Sequence, residues 1–260
     1  MRVLIINMAT AKDRMAFMAA QMDHFGLDWA RIEAIPPDTL TPPADDPVWH
    51  RWQRPLRVTE MALCASHMAA WRAVIAADVP HLILEDDATL AADLPAFLAD
   101  VAGLTDVDHI SLETRGRKKV LGRVLHSAAP MLRLWQDRTG SAAYIAYPQG
   151  AKLMLDHALR VGGPSDAIIS STYGMRSYQA VPALAVQLDI CAQYGVPQAL
   201  ETRSLIDAIE KPRLPVSGMA ALGFRARRIW GQIVMGWRQL RHQGTRLHVA
   251  PAHDWPKITL

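Results

Sequence analysis

His81-Leu82-Ile83-Leu84-Glu85-Asp86-Asp87 is the stretch whose reading decides the fold. Pro80 leads into consecutive aliphatic residues, the composition of a strand buried on both faces of a parallel sheet. The strand then ends in three neighbouring carboxylates. Unpaired, they repel one another, and each carries a large desolvation cost when buried. A divalent cation removes both problems. Oxygen-only ligation suits Mg²⁺ or Mn²⁺, which bind through one or two carboxylates plus substrate phosphates. The carboxyl ends of the strands are also where open α/β sheets bind ligands. The alternative is that the acids are a solvated N-terminal cap for a helix beginning near Leu90.

Upstream, Val3 to Asn7 predicts a first buried strand, and helical spacing from Ala11 to Phe25 puts Met15, Met18, Ala19 and Met22 on a core-facing side. Gly26 is a natural stop, and Asp28 to Ile35 predicts a second strand, so the chain opens with the strand-helix-strand unit of a parallel sheet. A proline-rich connection from Pro36 to Pro55 holds Trp49, His50 and Trp52; loops of this length are often functional. Thr59 is the expected cap of a helix reaching Ala77, with Glu60 in its first turn and Ser66, His67 and Trp71 in its middle.

Downstream, the spacing predicts a helix to Val101 and a strand from Asp108 to Leu112. Arg115-Gly116-Arg117-Lys118-Lys119 reads as an exposed turn, either simply solvated or anion-binding. Strands follow around a Pro130 turn. A further strand opens with small residues from Thr139 to Tyr144, where backbone can pass close to a ligand. A helix from Gln149 to Leu159, the segment Pro164-Ser165-Asp166 and a strand from Val181 to Val186 complete the pattern.

With 260 residues, half of them hydrophobic and a fifth charged, the chain can bury a substantial core and is not broadly disordered. Cys64 and Cys191 fit no metal-binding spacing and read as buried thiols in a reducing compartment. No secretory leader or membrane-spanning run is visible, so a cytoplasmic protein is expected. The net charge of +3 is unevenly placed: from Lys211 to His253 there is no acidic residue. Leu222, Ile229, Trp230, Ile233, Trp237 and Leu240 recur there at helical intervals among arginines. That pattern predicts a helix over 222–246 on an anionic membrane surface, on the inner face of the cytoplasmic membrane. The other reading is a helix packed on the domain with its arginines in solvent. No nucleic-acid module accompanies the charge.

Taken together these stretches resemble glycosyltransferase family 25, which includes bacterial lipooligosaccharide galactosyltransferases and collagen galactosyltransferases. The landmarks follow in the family's order over residues 2 to 190: Ile6-Asn7 with Asp13-Arg14; Glu60, Ser66-His67 and Trp71; Leu84-Glu85-Asp86-Asp87; Gly140 to Tyr144 with Gly150-Ala151; Pro164-Ser165-Asp166; and Pro182 to Gln187. The resemblance implies a GT-A-like α/β fold, a mixed and mainly parallel sheet flanked by helices, over residues 1–210. A basic extension, 211–260, lies outside the resemblance. It also implies inverting transfer of a hexose, most simply galactose from UDP-galactose, to a lipopolysaccharide or lipid-linked oligosaccharide acceptor. Asp87 and Glu85 are the expected ligands of Mn²⁺ or Mg²⁺. Asn7, Arg14, Ser66, His67, Glu85, Asp86, Gly140, Ser141 and Tyr144 are expected around the donor, with Glu60 as a partner for His67. Asp166 is the candidate general base, a metal or donor ligand, or a helix cap. A two-metal hydrolase would need denser histidine ligands than these. A transferase-like domain that binds glycan or membrane without catalysis is the remaining alternative.

Overall fold

The computed structural model describes residues 1–138, 140–197, 200, 218–242 and 244–259. The expected boundary at residues 210/211, and Thr139, lie outside the described residues.

Strand β1 (Arg2–Asn7), helix α1 (Lys12–Phe25) and strand β2 (Trp29–Glu33) form the expected opening unit. Gly26 ends α1 in the left-handed conformation, with φ 62°, and its N–H returns to the carbonyls of Met22 and Asp23. β1 is the hub of the parallel part: β2 lies on one edge and β3 (His81–Glu85) on the other, both parallel. Helix α2 (Val58–Ala77) connects the first pair to β3. After β3 come β4 (Ala88–Leu90), α3 (Leu94–Val101), β5 (His109–Ser111), β6 (Lys119–Leu125), β7 (Met131–Gln136) and β8 (Ala143–Ala146). Then follow α4 (Pro148–Val161), α5 (Ser165–Ser171), β9 (Ser177–Ala180), β10 (Ala185–Gln187), α6 (Cys191–Tyr194), α7 (Met219–His242) and β11 (Thr245–Leu247).

The main sheet has the order β11-β6-β7-β9-β5-β8-β3-β1-β2, and β4 pairs separately with β10. It is mixed: β1, β2, β3, β5, β6 and β9 run one way, and β7, β8 and β11 run against them. Alternation along the strands divides the interior in two. Val3, Ile5, Leu82, Leu84 and Ile145 face one core with Phe17, Met18 and Met22 of α1 and the apolar side of α3. Leu4, Ile6, Ile83 and Tyr144 face the other with α2, α4 and α5. Helices therefore cover both sheet faces. Gly150 permits close packing of α4, since a Cβ there would stand 1.9 Å from the Asp108 carbonyl oxygen. Both cysteines are free and buried.

Four local expectations change. Arg57, not Thr59, is the N-cap of α2; Glu60 accepts the Arg57 N–H at 2.9 Å, and the Thr59 hydroxyl is buried with no partner among the described residues. The helix expected at Leu90 starts at Leu94, because Ala88 to Leu90 pair as a strand with Ala185 to Gln187. The three acids therefore occupy a strand end and a turn rather than a helix cap. Of the strand expected from Val181 to Val186, only Ala185 and Val186 lie in a strand, β10; the preceding residues join it to β9 (Ser177–Ala180). Lys119, expected in an exposed basic turn, is buried against Asp137 at 2.6 Å. Among the described residues no helix is long and apolar enough to cross a membrane.

Candidate active site

A cleft of about 340 Å³ opens where β1, β3 and β5 reach their carboxyl ends. The first turns of α2 and α5 and the strand-entry loop before β8 complete its walls. Of the expected site residues, Arg14, Ser66, Glu85, Asp86, Asp87, Gly140, Ser141 and Asp166 line it.

The acidic turn sets the electrostatics. Glu85 Oε1 accepts from Ser141 Oγ at 2.6 Å and faces His67 Nε2 at 3.2 Å. Burial alone would raise its pKa, but the bonds from His67 and Ser141 outweigh that and hold it below the ordinary carboxylate value. Asp86 has both oxygens engaged, by Asn7 Nδ2 at 2.7 Å and the Arg14 guanidinium at 2.9 Å. Its burial still prevails over these partners and raises its pKa. Asp87 is less well supported: Gln187 Nε2 is 3.5 Å away and Arg14 is 3.9 Å away. Burial, then repulsion from Glu85 and Asp86, pushes its pKa up to about 7.

Three expected donor contacts stand behind the cleft wall. Asn7, His67 and Tyr144 are almost wholly buried, and none lines the opening. Trp71 Nε1, which can only donate, gives its proton to Tyr144 Oη at 2.8 Å. Tyr144 Oη meets His67 Nδ1 at 2.9 Å, so the hydroxyl donates there and the imidazole carries its hydrogen on Nε2, toward Glu85. The phenol pKa is driven far upward by burial, which keeps that donor protonated. This chain orients Glu85, and Asn7 likewise orients Asp86. Asp86 is in turn committed to holding Arg14 rather than to a free donor contact. The Ser66 hydroxyl is also committed, accepting from Ile35 N–H and donating to the Ala62 carbonyl, both at 2.8 Å.

The opposite wall carries Asp166 in the first turn of α5, where Oδ1 accepts its neighbour Ala167 N–H at 2.7 Å. Burial raises its pKa, and Glu85 and Glu60 add to the effect. Ser165 ties this wall to the Ser141 loop through their hydroxyls, 3.2 Å apart. Glu60 was expected to partner His67. It forms instead a two-pronged pair with Arg54 at 2.7 and 2.8 Å, because its place at the start of α2 faces the Pro36–Pro55 loop.

Sequence reasoning missed two participants, Glu113 and Asp189. Glu113 lines the cleft, accepts Ala142 N–H through Oε1, and has Oε2 buried with no partner among the described residues. Burial, offset in part by Lys119 and reinforced by Glu85, pushes its pKa up to about 8. Its signal was available: His109-Ile110-Ser111-Leu112-Glu113 repeats the aliphatic-then-acid ending of His81 to Glu85. Asp189 lines the cleft with Arg115, which it binds at 2.8 and 3.1 Å. Arg115 thus leaves the solvated-turn reading, whereas Arg117 and Lys118 keep it. Gly140 sits at φ 127°, where a Cβ would come 3.2 Å from Glu113 Oε1.

The acidic turn suits a divalent cation on the chemistry of its oxygens. Asp87 bears the repulsion of Glu85, Asp86 and Asp189, offset only in part by Arg14. One cation would neutralise it. Among the described residues no three metal-binding side chains converge into a ready-made cage. A cation held there would need water and phosphate oxygens to complete its coordination.

The family model described as Glycosyltransferase family 25 (LPS biosynthesis protein) matches residues 1–169. Comparison with curated protein sequences finds no match. Among solved structures, A197 from STIV superposes with a TM-score of 0.38 at 10% identity, over 68% of this chain and 80% of that one. A glycosyltransferase involved in the glycosylation of the major capsid of PBCV-1 superposes with a TM-score of 0.33 at 7% identity, over 60% and 65% of the two chains.

Proposed function

We propose a reaction from one premise: this chain belongs to glycosyltransferase family 25. The reading is transfer of a hexose, galactose from UDP-galactose in its simplest form, onto the saccharide of a lipopolysaccharide or lipid-linked oligosaccharide. It takes residues 1–210 as a GT-A-like catalytic domain. The observation that carries it is the acidic turn, with under-compensated Asp87 in a cleft beside Arg14 and Arg115.

Arg14 and Arg115 supply positive charge for a diphosphate, and each is held in place by a carboxylate, Asp86 or Asp189. Asp87, with Glu85, would hold Mn²⁺ or Mg²⁺, which when bound stabilises the leaving diphosphate as a Lewis acid. Ser141 and Gly140 present the start of β8 to the donor sugar. Asp166 takes the proton of the acceptor hydroxyl. The acceptor oxygen then bonds to the anomeric carbon as the bond from that carbon to the diphosphate breaks on the opposite face, which inverts the configuration. A base with a pKa raised by burial binds that proton more firmly than an exposed aspartate would.

Calorimetric titration with UDP, with and without Mn²⁺, tests the site. Binding that needs Mn²⁺ and disappears in Asp87→Ala is the expected result. Absence of UDP binding in both conditions would overturn the donor assignment. With a donor identified, Asp166→Asn should retain UDP binding and lose transfer by at least ~100-fold, the usual scale of general-base catalysis.

A further inference from the structure

Helix α7 docks on the domain through Ala221 and Phe224, which are buried, and through Arg227, Arg238 and His242. Arg227 donates to the backbone carbonyls of Trp52 at 2.8 Å and His50 at 3.2 Å. Arg238 donates to the Trp135 carbonyl at 3.1 Å and lies over the Tyr173 ring, 4.2 Å from its centroid. His242 stacks on Trp135 at 3.9 Å. The opposite side is apolar and open: Trp230 is 67% exposed, Trp237 64% and Leu240 75%, with Leu222, Ile229 and Ile233 also more than half exposed. A surface helix ordinarily keeps its large apolar residues against the core, whereas here Trp230 and Trp237 face outward while Arg227 and Arg238 face the domain.

We propose that this outward face is the seat of an anionic lipid bilayer surface. From Leu222 to Leu240 the stripe spans ~27 Å at the usual rise. Projected at helical spacing, Arg225 and Arg241 flank it on its two sides, and both are exposed. Such arginines reach lipid phosphates while their stems lie along the acyl boundary, and indole rings favour that same depth. The charge excludes a second copy as occupant. Pairing two stripes would bring the flanking arginines of both copies together, and no acidic residue lies between Lys211 and His253 to offset them.

The seat also reaches the cleft. Trp52, whose carbonyl Arg227 holds, packs against Gly163, where a Cβ would stand 2.9 Å from the indole. Gly163 leads directly into Pro164-Ser165-Asp166. A bilayer under α7 would therefore be mechanically joined to the wall that carries Asp166. This last link rests on the transfer reading; the lipid seat does not.

The test is co-sedimentation of the full chain with vesicles of phosphatidylcholine, alone or mixed with phosphatidylglycerol. The expected result is binding to the mixed vesicles that weakens with added salt. It should fall at least tenfold in Trp230→Gln/Trp237→Gln and in Arg225→Glu/Arg241→Glu. These side chains are exposed, so circular dichroism should report an unchanged fold. Failure of the wild type to sediment would overturn the inference, as would undiminished binding by the tryptophan variant. So would a wild-type dimer on gel filtration that this variant converts to monomer. UDP binding measured in parallel reports on the transfer reading alone.

Discussion

His67 Nε2 stands 3.2 Å from Glu85 Oε1, joining the middle of α2 to the last residue of β3. The imidazole is wholly buried and backed by Tyr144 and Trp71, so it has one orientation to offer the carboxylate. The pair fixes one member of the acidic turn before any ligand arrives.

Replacing this histidine should therefore act on Glu85. A carboxylate held below its ordinary value contributes stability at pH above about 4.5, lost as pH falls through the lowered value. His67→Phe should cost ~1.5–3 kcal/mol at neutral pH, the range for a hydrogen bond to a charged group. The acid limb of the transfer rate should also move to higher pH. An unmoved limb with an unchanged melting temperature would remove His67 from the support of the site.

Glu113 gives the opposite sign. Its pKa is raised from 4.5 to about 8, so the folded chain keeps a proton that the unfolded chain releases. Its contribution to stability must fall between those pH values and level off above them. Glu113→Gln mimics the protonated acid and should flatten this decline. Thermal melts at pH 5 and pH 9 should show the variant gaining on the wild type at the higher pH, by on the order of 1–3 kcal/mol. Parallel wild-type and variant profiles would contradict the assignment.

The Lys119–Asp137 pair, 2.6 Å apart and nearly inaccessible, should behave as a buried ion pair. Lys119 balances the Asp137 charge and also donates to Ser111 and Gln179, so Lys119→Met should destabilise by ~3–5 kcal/mol. Lys119→Met/Asp137→Leu should recover part of that loss, since the unbalanced carboxylate goes as well. Denaturant melts of the two singles and the double decide it; additive losses would mean that the pair is not coupled.

At Gly140 the backbone itself is specified. With φ 127° and a Cβ destined for Glu113, Gly140→Ala should lose ~1–3 kcal/mol and weaken UDP binding by displacing Ser141. Full retention of both would show that the loop adapts freely.

Much of this arrangement is legible residue by residue. Val3 to Asn7, the helix closed by Gly26, and His81 to Glu85 carry local patterns that tertiary packing did not override. The helix expected at Leu90 failed because strand pairing with Ala185 to Gln187, about a hundred residues later, captured that segment. Glu60 and His67 share a helix, yet they pair with Arg54 and Glu85, since partners are chosen across the sheet rather than along the helix. Lys119 resembled its exposed neighbours until its strand carried it inward to Asp137.

Sequence alone determined the strand that ends in acids, the periodicity of α7 and the chemistry of each side chain, because these depend on neighbours a few residues apart. Tertiary structure alone decided which carboxylates are satisfied and which are not: Asp86 between Asn7 and Arg14, Asp87 with little relief, and Glu113 with one oxygen that meets no partner among the described residues. It also decided that α7 turns Arg227 and Arg238 inward and its tryptophans outward. Burial and charge are sums over atoms brought together from distant parts of the chain, and that sum exists only once the chain has folded.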